Sequence, residues 1–434
     1  MKVVKKIFKS PIILVFMLVC IFMMPSAINM SSIAFRSAIA LAVGIDLNDS
    51  NEIVLYTSIS VPATNESLSE NSKTIVSSGK TVGDAFANLR LMYGRAVRLG
   101  HTRYILVGSK ISQENLTSLL DSLIRTNRLR KVVQLIYCPN DLGQMFGVGV
   151  KLNSETGIKL TDIINHQQNA STTYINSNID SFYRGYLSES KVSKLNVVSL
   201  TSDATRGISP SVTELETKNS GTNPSKTSQT ASGENKSAGQ SQESSGDSGL
   251  GSNSEDLSVS NRGELAIFEN GVLRTILNEE LSHGINWLSK DYNPKELLVY
   301  VDGASKIGSA YLGFDVLNKR INLESFFHKG MPFVSAKIII SLDLDEIISS
   351  ENTIELNNDF LDDNIKGSIG RQIRKQIASA VQESKRLKLD MFELNDIFHQ
   401  NNYYEYINYI KSGKTIYDII EDAQISAEVE IKII

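Results

Sequence analysis

Between Asp203 and Asn261 the chain is dominated by Ser, Gly, Asn, Gln and Thr, as in SAGQSQESSGDSGLGSNSEDLS, and this stretch constrains the fold more than any other. It lacks the aromatic and β-branched side chains whose burial would offset the entropy of ordering it, so it is expected to be a disordered tether. It divides the 434 residues into an N-terminal α/β region at 33–202, a linker at 203–262 and a C-terminal α+β domain at 263–434. A chain of this length is also too long for one compact core. The expected fold class is α+β, mixed α and β, with two or more folded regions joined by the Ser/Gly-rich tether.

Within the first region strand-like and helix-like patterns alternate. AIALAVGID and EIVLYTSISV read as strands joined by a turn at Asn48-Asp49-Ser50-Asn51. Val82, Ala85, Phe86, Leu89, Tyr93, Ala96 and Val97 recur at helical spacing, which predicts a helix of about four turns that stops near Gly100. RYILVG is a short buried strand, Ser112 is placed as the N-cap of a helix carrying the Leu116–Ile124 stripe, and KVVQLIYC is the next strand. That order suggests a helix-covered α/β layer.

In the second region Asn270-Gly271 separates two apolar runs and signals a hairpin. A short helix carrying Leu277, Leu281 and Trp287 is expected next. FVSAKIIISLDLDEI reads as a long strand, and Ile365, Ile369, Ile373, Ile377 and Val381 mark one stripe of a long helix. The closing QISAEVEIKII alternates apolar and polar residues, which predicts a half-buried strand, antiparallel to its neighbour.

The N-terminus reads as a targeting segment. Lys2, Lys5, Lys6 and Lys9 precede a wholly apolar run from Ile12 to Met24, followed by Pro25-Ser26-Ala27. The run would reach about 20 Å as a helix, short of a hydrocarbon core of about 30 Å. The lysines should stay cytoplasmic, which sends the remainder across the membrane. Cys20 lies inside this run. Lipidation of Cys20, cleavage near Ala27 and an uncleaved anchor all remain open; the anchor leads, because Val19 is bulky and apolar character continues through Cys20 to Met24.

No catalytic constellation emerges. The five histidines are scattered. Glu279 and His283 stand four apart on an expected helix, without a third candidate ligand, and are read as a surface pair. Asp343, Asp345 and Glu346 are read as a solvated strand end, GQMFGVGVK as a loop, and Cys138 as a buried, inert thiol. No metal or other cofactor is expected. With two cysteines, one in the apolar run, a disulfide framework is excluded. A formal net charge of −4 and a pI near 5.9 argue against nucleic acid as a partner.

The charge is unevenly spread. Residues 80–135 hold ten cations and three anions, a net +7, while Asp343 to Asp363 hold eight acidic residues and no Lys or Arg. Arg95, Arg98, Arg125, Arg128, Arg130 and Lys131 form the candidate patch for a membrane or partner surface. Two solvated faces without a partner are the plain alternative.

Several segments together resemble a known family. Gly44-Ile45-Asp46, Gly79-Lys80-Thr81, Gly100-His101 and Leu120-Asp121-Ser122-Leu123-Ile124-Arg125 follow in the order found in the C-subunit (Ger(x)C-type) of bacterial spore germinant receptors. Ala266, Phe268, Leu273, Glu280, Gly284 and Trp287-Leu288 are similar to a later segment of that family, and Asp390 and Phe392 to its Asp-x-Phe segment. The chain departs from the family at Glu393-Leu394-Asn395, where glycines are usual, and at Tyr403-Tyr404, where a Trp is common. It departs also at Met17-Leu18-Val19-Cys20, which lacks the small residue of a lipidation box. The resemblance implies a non-enzymatic, membrane-tethered, extracytoplasmic subunit of a germinant-receptor complex. Its implied partners are the membrane, a multi-span transporter-like subunit and a larger membrane subunit. The alternative is an extracytoplasmic solute-binding protein that holds a small ligand between its two regions.

Overall fold

The computed structural model describes residues 37–61, 71–127, 129–147, 174–202, 257–260, 262–290, 292, 294–301, 309–349 and 363–434. The apolar run with Cys20, most of the linker and Arg128 lie outside the described residues. The fold is α+β.

The first sheet begins with β1 (Ser37–Leu47) and β2 (Ile53–Val61), antiparallel as expected. Their turn is held by the Asn48 side chain, which accepts from the amides of Ser50 and Glu52 at 3.0 and 2.9 Å. β3 (Asn71–Gly79) extends the sheet beside β2. Its Ser- and Thr-rich sequence carries no strong strand signal, and pairing supplies what propensity does not.

Helix α1 (Val82–Tyr93) starts where Thr81 Oγ1 accepts the Asp84 amide and buries Val82, Ala85, Phe86 and Leu89. It ends a turn earlier than the apolar spacing predicts. Gly94, at φ 69°, closes it in the left-handed conformation, and Ala96–Arg98 forms β4, parallel to the start of β1. The Ala96 and Val97 that extended the apparent stripe therefore belong to a strand.

β5 (Tyr104–Val107) is fully buried and parallel to β1. Helix α2 (Leu116–Asn127) begins after a 3₁₀ turn at Ile111–Gln113, so Ser112 is not its N-cap. The Ser112 hydroxyl instead donates to the Ser109 carbonyl at 2.8 Å, and Asn115 Oδ1 accepts the Thr117 amide at 2.9 Å. β6 (Gln134–Tyr137), the short α3 (Leu142–Met145), α4 (Ile179–Leu187) and β7 (Val192–Val197) follow, with β5, β6 and β7 parallel.

Beyond β7 the chain forms β8 (Ser199–Ser202), and after the linker β9 (Leu257–Ser260) pairs with β8 antiparallel. Next comes the expected hairpin, β10 (Leu265–Glu269) and β11 (Val272–Leu277), with Asn270 and Gly271 at φ 51° and 80°. β10 pairs antiparallel with β7, Leu265 opposite Asn196 and Glu269 opposite Val192. The sheet order is thus β11-β10-β7-β6-β5-β1-β2-β3, with β4 beside β1. The sheet of the first region draws two strands from beyond the linker. Together β8–β9 and β7–β10 bring the linker's two ends to neighbouring strands, about 5 Å apart.

Helix α5 (Glu279–Trp287) leads into the second sheet, ordered β12 (Glu296–Val301), β13 (Ala310–His328), β14 (Met331–Ser349) and β15 (Gln424–Ile433). Helix α6 (Asp363–Leu387) lays Ile365, Ile369, Ile373 and Ile377 into this core, and α7 (Leu394–Asn401), α8 (Tyr403–Lys411) and α9 (Asp418–Asp422) complete it. β15 runs parallel to β14, not antiparallel as expected. The helices between the two strands form a crossover connection, which returns the chain to its starting end. The alternation of side chains is the same for either direction, so it could not distinguish them.

The α5–α6 crossing depends on Gly284. A Cβ there would stand 2.1 Å from the Gln376 carbonyl oxygen and 2.7 Å from Ala380 Cβ. One turn on, Trp287 is fully buried and its Nε1 donates to Gln376 Oε1 at 2.8 Å. The Lys319 ammonium donates to the carbonyls of Asn286, Ser289 and Tyr292, at 3.2, 2.6 and 2.9 Å, and so caps the C-terminal end of α5.

Because its ends already meet in strand ladders, the linker is expected to be dispensable for folding. Replacing residues 203–256 by a six-residue Gly/Ser loop should leave the fold intact. Lower closure entropy should raise stability by about 2 kcal/mol in urea unfolding. A large loss of stability on that replacement would refute the reading.

Candidate functional site

The chemistry of this molecule concentrates where the two sheets meet. On one side is the turn Ser188–Lys191 that leads into β7; on the other is the segment Leu389–Asp396 that opens α7. The buried Asp390 organises the second side. Its Oδ1 accepts the Leu394 amide at 2.8 Å, and its Oδ2 accepts the Asn395 amide and side-chain amide at 2.8 and 2.9 Å. The two backbone amides lie in the first turn of a helix that starts from the left-handed Glu393 (φ 57°), where no intrahelical acceptor is available. Asn395 extends the network to the Ile416 carbonyl and accepts the Tyr406 hydroxyl at 3.0 Å.

Asp396 then reaches across. Its Oδ1 accepts the Glu189 amide at 2.9 Å and its Oδ2 the Ser190 amide at 3.2 Å. The Ser190 hydroxyl lies 2.7 Å from Oδ2 of Asp390 and 2.7 Å from Oδ2 of Asp396. One hydroxyl has one proton to donate, so the second short contact requires a proton held by a carboxyl. Burial pushes the Asp390 carboxyl above the ordinary carboxylate range, against the pull of its hydrogen bonds from Asn395, Ser190 and Leu394. At the rim Lys194 meets Glu393 at 2.7 Å and holds that carboxyl below its usual range.

Beside this junction opens a cleft of ≈ 840 Å³, lined among others by Asn176, Arg184, Ser193, Lys194, Asn286 and Glu393. Both regions contribute, and the walls are mostly polar. Such a cleft can bind a polar solute.

The sequence-derived candidates lie elsewhere. Arg95, Arg98, Arg125, Arg130 and Lys131 are all exposed. They gather at the end of the first sheet where the parallel strands β1, β4 and β6 begin. Arg125 pairs with Asp121 at 2.8 Å, with both side chains more than half exposed, and contributes little to stability. Asp343, Asp345 and Glu346 are exposed on the far stretch of β14, in the other sheet. The described residues of the two stretches therefore belong to separate surfaces.

Glu279 and His283 are not the surface pair that was expected. Their closest atoms are 3.8 Å apart, but the His283 side chain is only 12% exposed. It stacks on Trp287, and its Nδ1 lies 3.2 Å from the Tyr292 hydroxyl. The α5 face that carries His283 packs inward with Trp287. Among the described residues no three His, Cys, Asp or Glu group as metal ligands. Cys138 is buried beside Leu142, Met145 and Phe146, and burial pushes its thiol up to about 12.

Residues quoted for the family resemblance have structural roles. Asp46 Oδ1 accepts the amides of Leu47 and Ile111, fixing the 3₁₀ turn to β1. A Cβ at Gly44 would meet the Phe146 ring at 2.6 Å. Asp390 was marked by the same resemblance. Ser190 and Asp396 were not found, since a contact between residues 206 apart in sequence leaves no local signal.

Titration of the junction gives a test. The folded state binds the Asp390 proton more tightly than the unfolded chain. The stability it confers is therefore complete below a pH of about 4 and is lost as pH rises through the raised value. In urea unfolding, wild type should lose stability over that interval relative to Asp390→Asn, which cannot titrate. Asp390→Ala, which strands buried amides, should cost about 3 kcal/mol near pH 4, and its cost should shrink over the same interval as wild type loses stability. Parallel pH profiles for wild type and Asp390→Asn would refute the protonated junction.

The family model described as the spore germination protein N-terminal domain matches residues 36–200. The model described as spore germination B3/GerAC like, C-terminal, matches residues 263–434. Comparison with curated proteins gives no match. Among solved structures, the crystal structure of the GerBC protein is similar at 12% identity and a TM-score of 0.47, covering 90% of this chain and 96% of that one. With both family segments matched in order and most of the chain covered, the protein belongs to the GerAC family of spore germination proteins.

Proposed function

We propose that this protein is a non-enzymatic subunit of a spore germinant receptor, tethered to the membrane and facing away from the cytoplasm. In spores that face would be the outer side of the inner membrane. The observation that supports the reading most is the family match over both regions, 36–200 and 263–434. Its partners are a multi-span transporter-like subunit and a larger membrane subunit, as the family resemblance implies. The tether is the apolar N-terminal run, retained as an anchor.

The mode of action is binding and structural coupling. A junction in which Ser190 bridges two carboxyls joins the regions through short, directional hydrogen bonds. A disturbance on one sheet is thereby felt by the other. Deleting the gene should abolish or strongly slow nutrient-triggered germination, followed as loss of optical density, and the full chain supplied in trans should restore it. Affinity capture of the full chain from spore membranes should recover the two membrane subunits. Normal germination together with no membrane partner would refute the proposal.

A second reading rests on the ≈ 840 Å³ polar cleft between the regions, which has the size of a small-solute site. On that reading millimolar germinant should raise the Tm of the purified chain by several degrees. An unchanged Tm across amino acids and sugars would leave the coupling role alone.

A further inference from the structure

The end of the first sheet where β1 begins exposes apolar side chains that a water-facing surface would not need. Leu91 is 80% exposed, Met92 66%, Val132 60% and Ile39 39%. Scattered exposed apolar residues are ordinary in soluble proteins, but these share one end of the sheet. Leu91 and Met92 close α1, which turns at Gly94 into β4; β4 pairs with β1 at Ser37–Ile39. Val132 immediately precedes β6, which runs parallel to β5 and, through it, to β1.

Exposed cations stand between them in sequence and at the same end: Arg95 and Arg98 around β4, Arg130 and Lys131 before β6. The neighbouring Asp121 and Asp180 are each engaged, by Arg125 at 2.8 Å and Arg184 at 3.3 Å, and farther along the same end Glu189 and Glu269 lie near His399 and Arg274. Apolar side chains interleaved with unneutralised cations have the chemistry of the bilayer boundary, where cations meet phosphates and aliphatic tips enter the acyl margin.

The chain itself says which way this end faces. Ser37 opens β1 here, and only residues 25–36 separate it from the apolar run at 12–24. Twelve residues span at most about 40 Å when fully extended. An anchored chain therefore holds this end of the sheet close to the bilayer.

We infer that this end is a docking surface for an anionic lipid bilayer. Its cations sit on headgroup phosphates, and Leu91, Met92 and Val132 enter the headgroup–acyl boundary. The inference rests on the tethered reading above and adds to it a fixed orientation: the first sheet stands end-on to the membrane.

Hydrogen exchange on the full chain in nanodiscs tests this. In discs of equal parts phosphatidylglycerol and phosphatidylcholine, amides of 90–98 and 131–133 should exchange about ten-fold more slowly than in pure phosphatidylcholine discs. Raising salt should reverse the protection, since surface charges are screened over about 10 Å at 0.1 M. The triple variant R95E/R98E/K131E should lose it while remaining in the discs. If the chain enters both discs and these segments exchange alike, the docking surface is refuted and the tether stands. If protection appears only on adding an acidic protein subunit, the surface is a protein interface and the inference is likewise refuted. If the chain enters neither disc, tether and docking surface fail together.

Discussion

Strand β7 is the piece on which both halves of this molecule depend. One edge carries β6, from the same region, and the other carries β10, from beyond the linker. Its lead-in turn is clasped by Asp390 and Asp396. Five backbone pairings between β7 and β10 and a buried hydroxyl–carboxyl bridge thus act on a strand of six residues. Buried polar contacts of this kind are costly to leave half made, so they fix one arrangement of the two sheets. The hydrophobic clusters follow the same logic: Val192, Leu265 and Ile267 of these two strands face the second core, while Leu195, Val197, Ala266 and Phe268 face the first.

The residues that link this chain to its family are mostly devices of close approach. Gly44 leaves room for the Phe146 ring, Gly79 lets β3 meet the start of α1, and Gly284 lets α5 lie against α6. Asp46 and Asp390 place carboxyl groups where backbone amides would lack acceptors. Each of these residues stays at its own packing site.

Local signals were reliable where the physics is local. Asn270-Gly271 specifies a two-residue turn because both positions take positive φ, and the isoleucine stripe of α6 specifies a buried helix face. They misled where a local rule competes with a distant partner. The α1 stripe runs on through Val97, yet Gly94 ends the helix and β1 recruits the next residues as a strand. Ser112 looks like an N-cap, but the Asp46 carboxylate captures the neighbouring Ile111 amide and a 3₁₀ turn results. His283 looks solvent-facing until Trp287 draws its face inward.

The sequence by itself determined the class of fold, the composition break at the linker, the family and the uneven charge. All of these are written in side-chain types, their spacing and their order. Only the tertiary structure decided that the hairpin after the linker completes the sheet before it, that β15 runs parallel to β14, and that Ser190 lies between Asp390 and Asp396. Strand partners and directions are set by which edges are free once the chain has collapsed, and no periodicity encodes them. The charged and apolar residues around β4 and β6 follow the same rule. Their types are plain in the sequence, but their meeting at one end of a sheet follows from parallel strand order alone.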